Sequence, residues 1–264
     1  MIFKYVAGSN INSVLNKKLN KGIIPIINYI SENNIDNLDV TYKEYNNLIS
    51  KIDYSYILAF KLSSLNFNTK LIENILKKGL NKDIKIIIDA EDNKNIENYR
   101  KISNDLITKY NKNKENIIKT YQMYRKDSLD ELSDDINHFN KLNINLSSKL
   151  VRGAYFNSEK NGEHLFKNKK DTDWNYNMGI LKCYESSNTH IIASHNKFSL
   201  NLAYLLSKNK NKFLIANLMG MNEEYISNFP NIGKCTYIPY GPYKEMFPYL
   251  LRRLYENIDQ VKYL

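Results

Sequence analysis

Glycine, proline and cysteine are scarce in this sequence. Its 264 residues hold 9 glycines and 5 prolines, too few for a collagenous, low-complexity or linker-rich chain. Cys183 and Cys235 are the only cysteines. They exclude a disulfide framework, offer no metal-ligand spacing and fit a reducing compartment. No apolar run reaches the roughly 18 residues a membrane helix needs. Acidic residues are absent before Glu32, while Lys4, Lys17, Lys18 and Lys21 precede it. A transit peptide would carry arginine and serine there, and this stretch has no arginine and barely any serine.

What is plentiful is lysine. The formal net charge is +10, which invites a nucleic-acid or anionic-membrane partner. The lysines are dispersed, however, and interleaved with asparagine, as in Lys112-Asn-Lys114 and Lys208-Asn-Lys-Asn-Lys212. Such stretches read as solvated helix ends and loops of the kind AT-rich coding gives. No zinc-finger, RNP or basic-helix pattern accompanies them, so no specific nucleic-acid partner is expected. The charge does allow peripheral contact with an anionic membrane.

The hydrophobic fraction of 42% is enough for a sizeable core. Short apolar runs recur at Ile23–Ile30, Tyr54–Leu62, Ile84–Ala90, Ile117–Tyr124, Leu146–Tyr155, Thr189–His195, Lys212–Asn217 and Cys235–Pro239. Each is short enough for a strand and continuous enough for burial on both faces. Helical patterns lie between them, at Thr69–Gly79, Asn95–Tyr110, Ser128–Leu142, Trp174–Glu185 and Ser199–Lys208. Thr69 and Ser199 read as N-caps and Gly79 as a C-terminal stop. Strands alternating with helices predict one α/β domain over residues 1–264, a parallel (β/α)8 TIM-type barrel. A leading helix within about residues 10–22 would pack against the barrel bottom. An open doubly wound sheet is the alternative, but no GxGxxG opens a helix.

Barrel enzymes work at the C-terminal ends of their strands. There the sequence puts Lys61 on the second strand and Asp89 on the third. Gln122 lies on the fourth and Lys149, Arg152 and Tyr155 on the fifth. His195 and Asn196 follow on the sixth, and Tyr237 is on the eighth. A lysine deep in an apolar strand is costly unless paired or functional. Gly153 and Ala154 would leave room for a flat ring near the backbone. Tyr155, Phe156, Tyr237 and Tyr240 would line an apolar pocket, although aromatics at strand ends are also ordinary core. His195 has no second ligand at metal spacing, and no Ser/His/Asp arrangement is visible, so neither a metal site nor a hydrolase is expected. A carboxylate clamp with apolar walls and no evident acid/base pair suits a cofactor-dependent reaction.

The clamp rests on Arg252 and Arg253, side by side on a helix that carries them after the eighth strand. If that helix opens near Pro248, both guanidiniums sit close to its positive end and can grip one carboxylate with Lys61. The competing reading is a solvated Arg-Arg pair on an amphipathic helix whose apolar face is Leu250, Leu254 and Ile258.

These residues match a known pattern over essentially the whole chain. Tyr5-Val-Ala-Gly8 with Leu19-Asn-Lys-Gly22, Phe60-Lys-Leu-Ser63, Ile88-Asp-Ala-Glu91, Thr120-Tyr-Gln-Met-Tyr124, Lys149-Leu-Val-Arg-Gly-Ala-Tyr155, Ser194-His-Asn196, Leu218-Met-Gly-Met221 and the 237–257 segment occur in order. The chain resembles proline dehydrogenase. By this resemblance the cofactor is FAD and the substrate L-proline. Proline is oxidised to Δ1-pyrroline-5-carboxylate by hydride transfer to flavin N5, and electrons pass to a membrane quinone. Lys61, Arg252 and Arg253 would bind the proline carboxylate, with Asp89 supporting the arginines. Ala154, Tyr155, Leu218 and Tyr237 would pack on the ring, Tyr237 being the proline form rather than the hydroxyproline form. Lys149 would sit by the flavin N5. Gln122, Arg152, Gly153, His195, Asn196 and Glu256 would contact the cofactor.

The resemblance also implies an intracellular protein, peripheral to an inner or respiratory membrane and mitochondrial if eukaryotic. It implies a separate pyrroline-5-carboxylate dehydrogenase downstream, and its match to the opening residues argues against a cleavable transit peptide there. Two readings compete with it. One is a catalytically silent barrel binding flavin or proline as a sensor or scaffold. The other is a flavin-free aldolase or isomerase with Lys61 as Schiff-base lysine, which the arginine pair and Asp89 fit less well.

Overall fold

A computed structural model describes residues 5–31, 38–159, 161–210 and 212–256, with side chains as far as Leu251. The strands are β1 Ile23–Tyr29, β2 Ile57–Lys61, β3 Lys85–Asp89, β4 Ile117–Gln122, β5 Ser147–Val151, β6 His190–Ala193, β7 Phe213–Leu218 and β8 Gly233–Tyr240. They pair in parallel with their sequence neighbours, and β1 pairs with β8, so the sheet closes. The expected (β/α)8 barrel is therefore the observed fold.

Alternation along each strand sorts the side chains. Ile26, Ile57, Ala59, Ile87, Ile118, Ile191, Ala216 and Cys235 face inward and fill the barrel. The opposite faces pack beneath the helices, as Leu58, Phe60, Ile86, Ile88, Leu150 and Ile238 do. Lys119 belongs to that outer layer. It is fully buried, 2.6 Å from Asp135 and 2.9 Å from Asn104, so its charge is paired as burial requires. Cys183 and Cys235 are buried, and burial pushes both thiols up to about 12. Neither is a nucleophile at neutral pH.

The helices are α1 Ile11–Leu15, α2 Leu38–Lys51, α3 Thr69–Leu80, α4 Ile96–Tyr110, α5 Ser128–Lys141, α6 Phe156–Glu159, α7 Lys169–Glu185, α8 Lys197–Ser207, α9 Glu223–Ser227 and α10 Tyr243–Glu256. Four expectations are corrected. The leading helix is only Ile11–Leu15 and lies along β8. Asn68, not Thr69, caps α3 by accepting from Leu71 N–H at 3.2 Å. Asn196, not Ser199, caps α8, accepting from Ser199 N–H at 3.1 Å. Gly79 is inside α3, close against Ile86, and the chain turns off the helix further on, where Asp83 takes the left-handed conformation and Ile84 N–H donates to the Gly79 carbonyl at 3.1 Å. Asn10 and Asn168 cap α1 and α7 in the same way, so asparagine supplies the acceptor that orphan N–H groups need.

His190 sits in the outer layer between two hydroxyls. Nδ1 is 2.6 Å from Ser148 Oγ and Nε2 is 2.6 Å from Ser186 Oγ. Burial, helped by the Lys212 charge, lowers its pKa to about 3. The folded state therefore resists protonation that the unfolded chain accepts near 6.5. This contribution is fully present above pH 6.5 and is lost as the pH falls toward 3, at up to about 1.4 kcal/mol per pH unit. Urea unfolding at pH 7, 6 and 5 is expected to show a steeper decline for the native protein than for His190→Gln. Equal slopes would show that His190 does not govern this window.

Candidate active site

Inward-facing residues at the C-terminal ends of the strands form the site. Lys61 ends β2 and pairs in register with Asp89, which ends β3. Two residues inward from the end of β5, Lys149 faces the same space, in register with Thr120 on β4. Asp89 is the hub. Lys149 Nζ donates to its Oδ1, and Tyr237 Oη donates to its Oδ2 at 2.5 Å. The Lys149 ammonium also lies 4.9 Å from the centre of the Tyr237 ring, within cation–π range. Burial and the Asp89 carboxylate hold the Tyr237 phenol well above its ordinary range, so it acts as a donor.

Lys61 Nζ stands 5.0 Å from the Tyr155 ring centre. Beyond it, the 3-10 turn Leu62–Leu65 aims Ser63 at Glu91, whose carboxylate accepts from Ser63 N–H and Oγ, both at 2.8 Å. Burial pushes the Glu91 carboxyl above its ordinary value, against the pull of Lys61 and of these two bonds. Glu91 is a site residue that the sequence reading does not reach. Its signal was the Asp89-x-Glu91 alternation, which repeats at the strand period of two.

The other expected residues lie around this centre. Gln122 Nε2 donates to the Glu91 carbonyl at 2.8 Å and its Oε1 accepts from Ala154 N–H at 3.4 Å. Tyr155 Oη reaches the Ala90 carbonyl at 3.4 Å. Leu218 ends β7 beside Tyr237 and donates its N–H to His195 Nε2 at 3.2 Å, which assigns the His195 proton to Nδ1. Arg152 is held by Asp173 at 2.8 Å, Ser194 at 2.5 Å and Ser199 at 3.0 Å, with its guanidinium 4.3 Å from the Tyr176 ring centre. Asn196 is spent mainly on capping α8.

Three details depart from expectation. The space a Gly153 Cβ would take is filled by the Tyr124 ring, 1.3 Å away, rather than left for a ligand. Tyr240 points outward, donating to Glu44 at 2.9 Å in the helix layer, because it lies three residues from the inward Tyr237. Phe156 opens α6 and is 40% exposed, so it lines no buried pocket.

α10 also differs. It begins at Tyr243, after the Gly241-Pro242 break, and carries Pro248 inside it. Arg252 and Arg253 therefore lie nine and ten residues past its start (252 − 243 and 253 − 243), beyond reach of its positive end. The side chains of Arg252, Arg253, Leu254 and Glu256, and all of Ile258, lie outside the described residues. Met246 and Leu250 seat the helix on Tyr5, Val6, Ile30, Leu218 and Met221. Beneath it a pocket is lined by Asn28, Ser64, Lys61, Tyr237 and Tyr249 among others. Tyr249 was not anticipated. Its position three residues before Arg252, hence on the same helix face, was the available signal.

Among the described residues no group of three His, Cys, Asp or Glu could hold a metal ion, and no helix is long and apolar enough to cross a membrane. The family model for proline dehydrogenase matches residues 12–264. The chain belongs to the proline dehydrogenase family. It is 30% identical over 212 residues to proline dehydrogenase 1, mitochondrial, of Caenorhabditis elegans, covering 72% of this chain and 34% of that protein. To the probable mitochondrial proline dehydrogenase of Schizosaccharomyces pombe it is 27% identical over 248 residues, covering 81% and 50%. The chain thus spans about a third to a half of the length of these relatives. Its fold matches proline utilization A from Bdellovibrio bacteriovorus, inactivated by N-propargylglycine, with a TM-score of 0.88 at 19% identity, over 97% of this chain and 32% of that one.

Proposed function

We propose that this chain oxidises L-proline to Δ1-pyrroline-5-carboxylate with FAD as cofactor and passes the electrons to a quinone. The observation that carries the reading is the Asp89 hub, which ties Lys149 and Tyr237 together at the mouth of a barrel of this family. Residues here suit a flavin. Thr120 faces the barrel interior with a buried Oγ1 that lacks a partner, an atom a bound polar ring would satisfy. Gln122 and Lys149 stand on the same inner face, as donors toward a flavin. When bound, FAD would supply the hydride acceptor, N5, for hydrogen leaving C5 of proline.

The protein's part is holding and orienting. Lys61 supplies one cation for the proline carboxylate. Lys61 and Lys149 are matched by Asp89 and Glu91, so the net attraction for an anion rests on Arg252 and Arg253. Tyr237, Leu218, Ala154 and Tyr155 form the wall for the ring, and the Tyr237–Asp89 bond keeps that wall in one place. Fixed orientation of this kind contributes most where the cofactor does the chemistry.

The visible spectrum tests the proposal. A yellow protein whose flavin band bleaches on anaerobic addition of L-proline is expected. A colourless protein that cannot be reconstituted with FAD would sink the reading, and a flavin that never bleaches would favour a silent binding barrel.

A further inference from the structure

Between β3 and β4 the barrel's ladder stops short of the site. Pairing runs from Ile86↔Ile117 to Ile88↔Lys119 and ends there. Both flanks continue higher, with β2–β3 paired to Lys61↔Asp89 and β4–β5 to Gln122↔Val151. The next parallel bond would run from the Ala90 amide to the Thr120 carbonyl. That carbonyl instead accepts from the Tyr99 hydroxyl at 2.6 Å, and the Thr120 N–H lies 2.9 Å from the same oxygen. The same oxygen lies 3.5 Å from the Ile88 carbonyl. A phenol from α4 thus stands in for a rung of the sheet. Tyr99 is 1% exposed, and above the gap Gln122 Nε2 bridges to the Glu91 carbonyl at 2.8 Å.

We propose that Tyr99 is a positioning residue whose hydroxyl holds β3 off β4 and so sets where Asp89 stands between Lys149 and Tyr237. Asp89 directly follows Ile88, the last residue of β3 paired to β4. Its carboxylate must reach Lys149, two strands away on one side, and Tyr237, three strands away on the other. Closing the seam by one regular rung would carry Asp89 toward β4 and away from Tyr237. Loss of the phenol takes its donor from the Thr120 carbonyl in a buried place, where that group needs a partner. For turnover this inference rests on the proline reading; for the geometry of the hub it does not.

The test is a double-mutant cycle of Tyr99→Phe with Asp89→Asn on the full chain, read twice. Melting temperatures need no substrate. The two single losses should exceed the loss of the double variant, because each change disturbs the same hub. In proline oxidation, Tyr99→Phe should lower kcat/KM about tenfold, the scale of a small misplacement of a reacting group. In the Asp89→Asn background the same change should cost less than about twofold. Additive melting losses would overturn the inference, as would an unchanged kcat/KM for Tyr99→Phe in an active parent. If the parent does not oxidise proline, the functional reading falls and the melting cycle alone decides the role of Tyr99.

Discussion

Asp89→Ala is expected to cost both stability and turnover, and the stability loss comes first. The change removes the carboxylate that accepts from Lys149 and Tyr237 at once. Lys149 is 5% exposed, so its ammonium is left buried without its ion-pair partner. Breaking such a pair costs about 3–5 kcal/mol, more than the pair itself contributes. At this chain length that is a fall of roughly 10 °C in melting temperature. A double variant, Asp89→Leu with Lys149→Met, should recover most of the loss, because it removes both charges rather than one. Activity should stay absent in both. A single variant that melts with the native protein would show that the Lys149–Asp89 pair is not the buried charge pair described here.

Gly153→Ala is the second large effect, and it acts through the backbone. Gly153 has φ +142°, a region that side chains rarely adopt. A Cβ there would also lie 1.3 Å from the Tyr124 ring. Tyr124 cannot easily yield, since its N–H and carbonyl bond to Arg152 and Phe166 and its hydroxyl to Glu159 at 3.2 Å. Strain and overpacking together are expected to cost roughly 3 kcal/mol or more. The neighbouring Ala154–Tyr155 wall should be displaced, so KM for proline should rise more than kcat falls. Tyr124→Ala in the Gly153→Ala background should restore part of the stability. Failure of that rescue would move the cause from the ring to the backbone angle alone.

The barrel was legible because its strands are buried on both faces. Continuous runs such as Ile84–Ala90 have no other stable use at that length, and all eight were placed to within a few residues. What periodicity could not supply was the side on which a polar residue falls. Lys61, Lys119 and Lys149 look alike as lysines in apolar strands. Lys61 and Lys149 face the mouth, whereas Lys119 faces α5 and is neutralised by Asp135. A shift of one residue in the inferred phase exchanges these roles. The same limit misplaced Tyr240.

Helix ends failed for a different reason. Asn68 and Thr69 are both good caps, and only the backbone angles decide which one accepts. Pro248 suggested a start that the Gly241-Pro242 break actually marks; its missing N–H is tolerated in the second turn, with the helix held by Met246 and Leu250 packing below. Tyr99 could not have been found by pattern at all. It reads as an ordinary apolar-face residue of α4, and only the unpaired rung reveals its use.

The asparagine caps bear on how this protein came to have its composition. Asparagine, aspartate and serine serve almost equally well at a helix start, so coding bias can convert one into another at Asn10, Asn68 and Asn168 with little penalty to the fold. The barrel mouth has no such slack, since Asp89 needs its charge and Gly153 its bare Cα. Nucleotide bias can therefore be absorbed at these exposed helix starts, while Asp89 and Gly153 are fixed by what they touch.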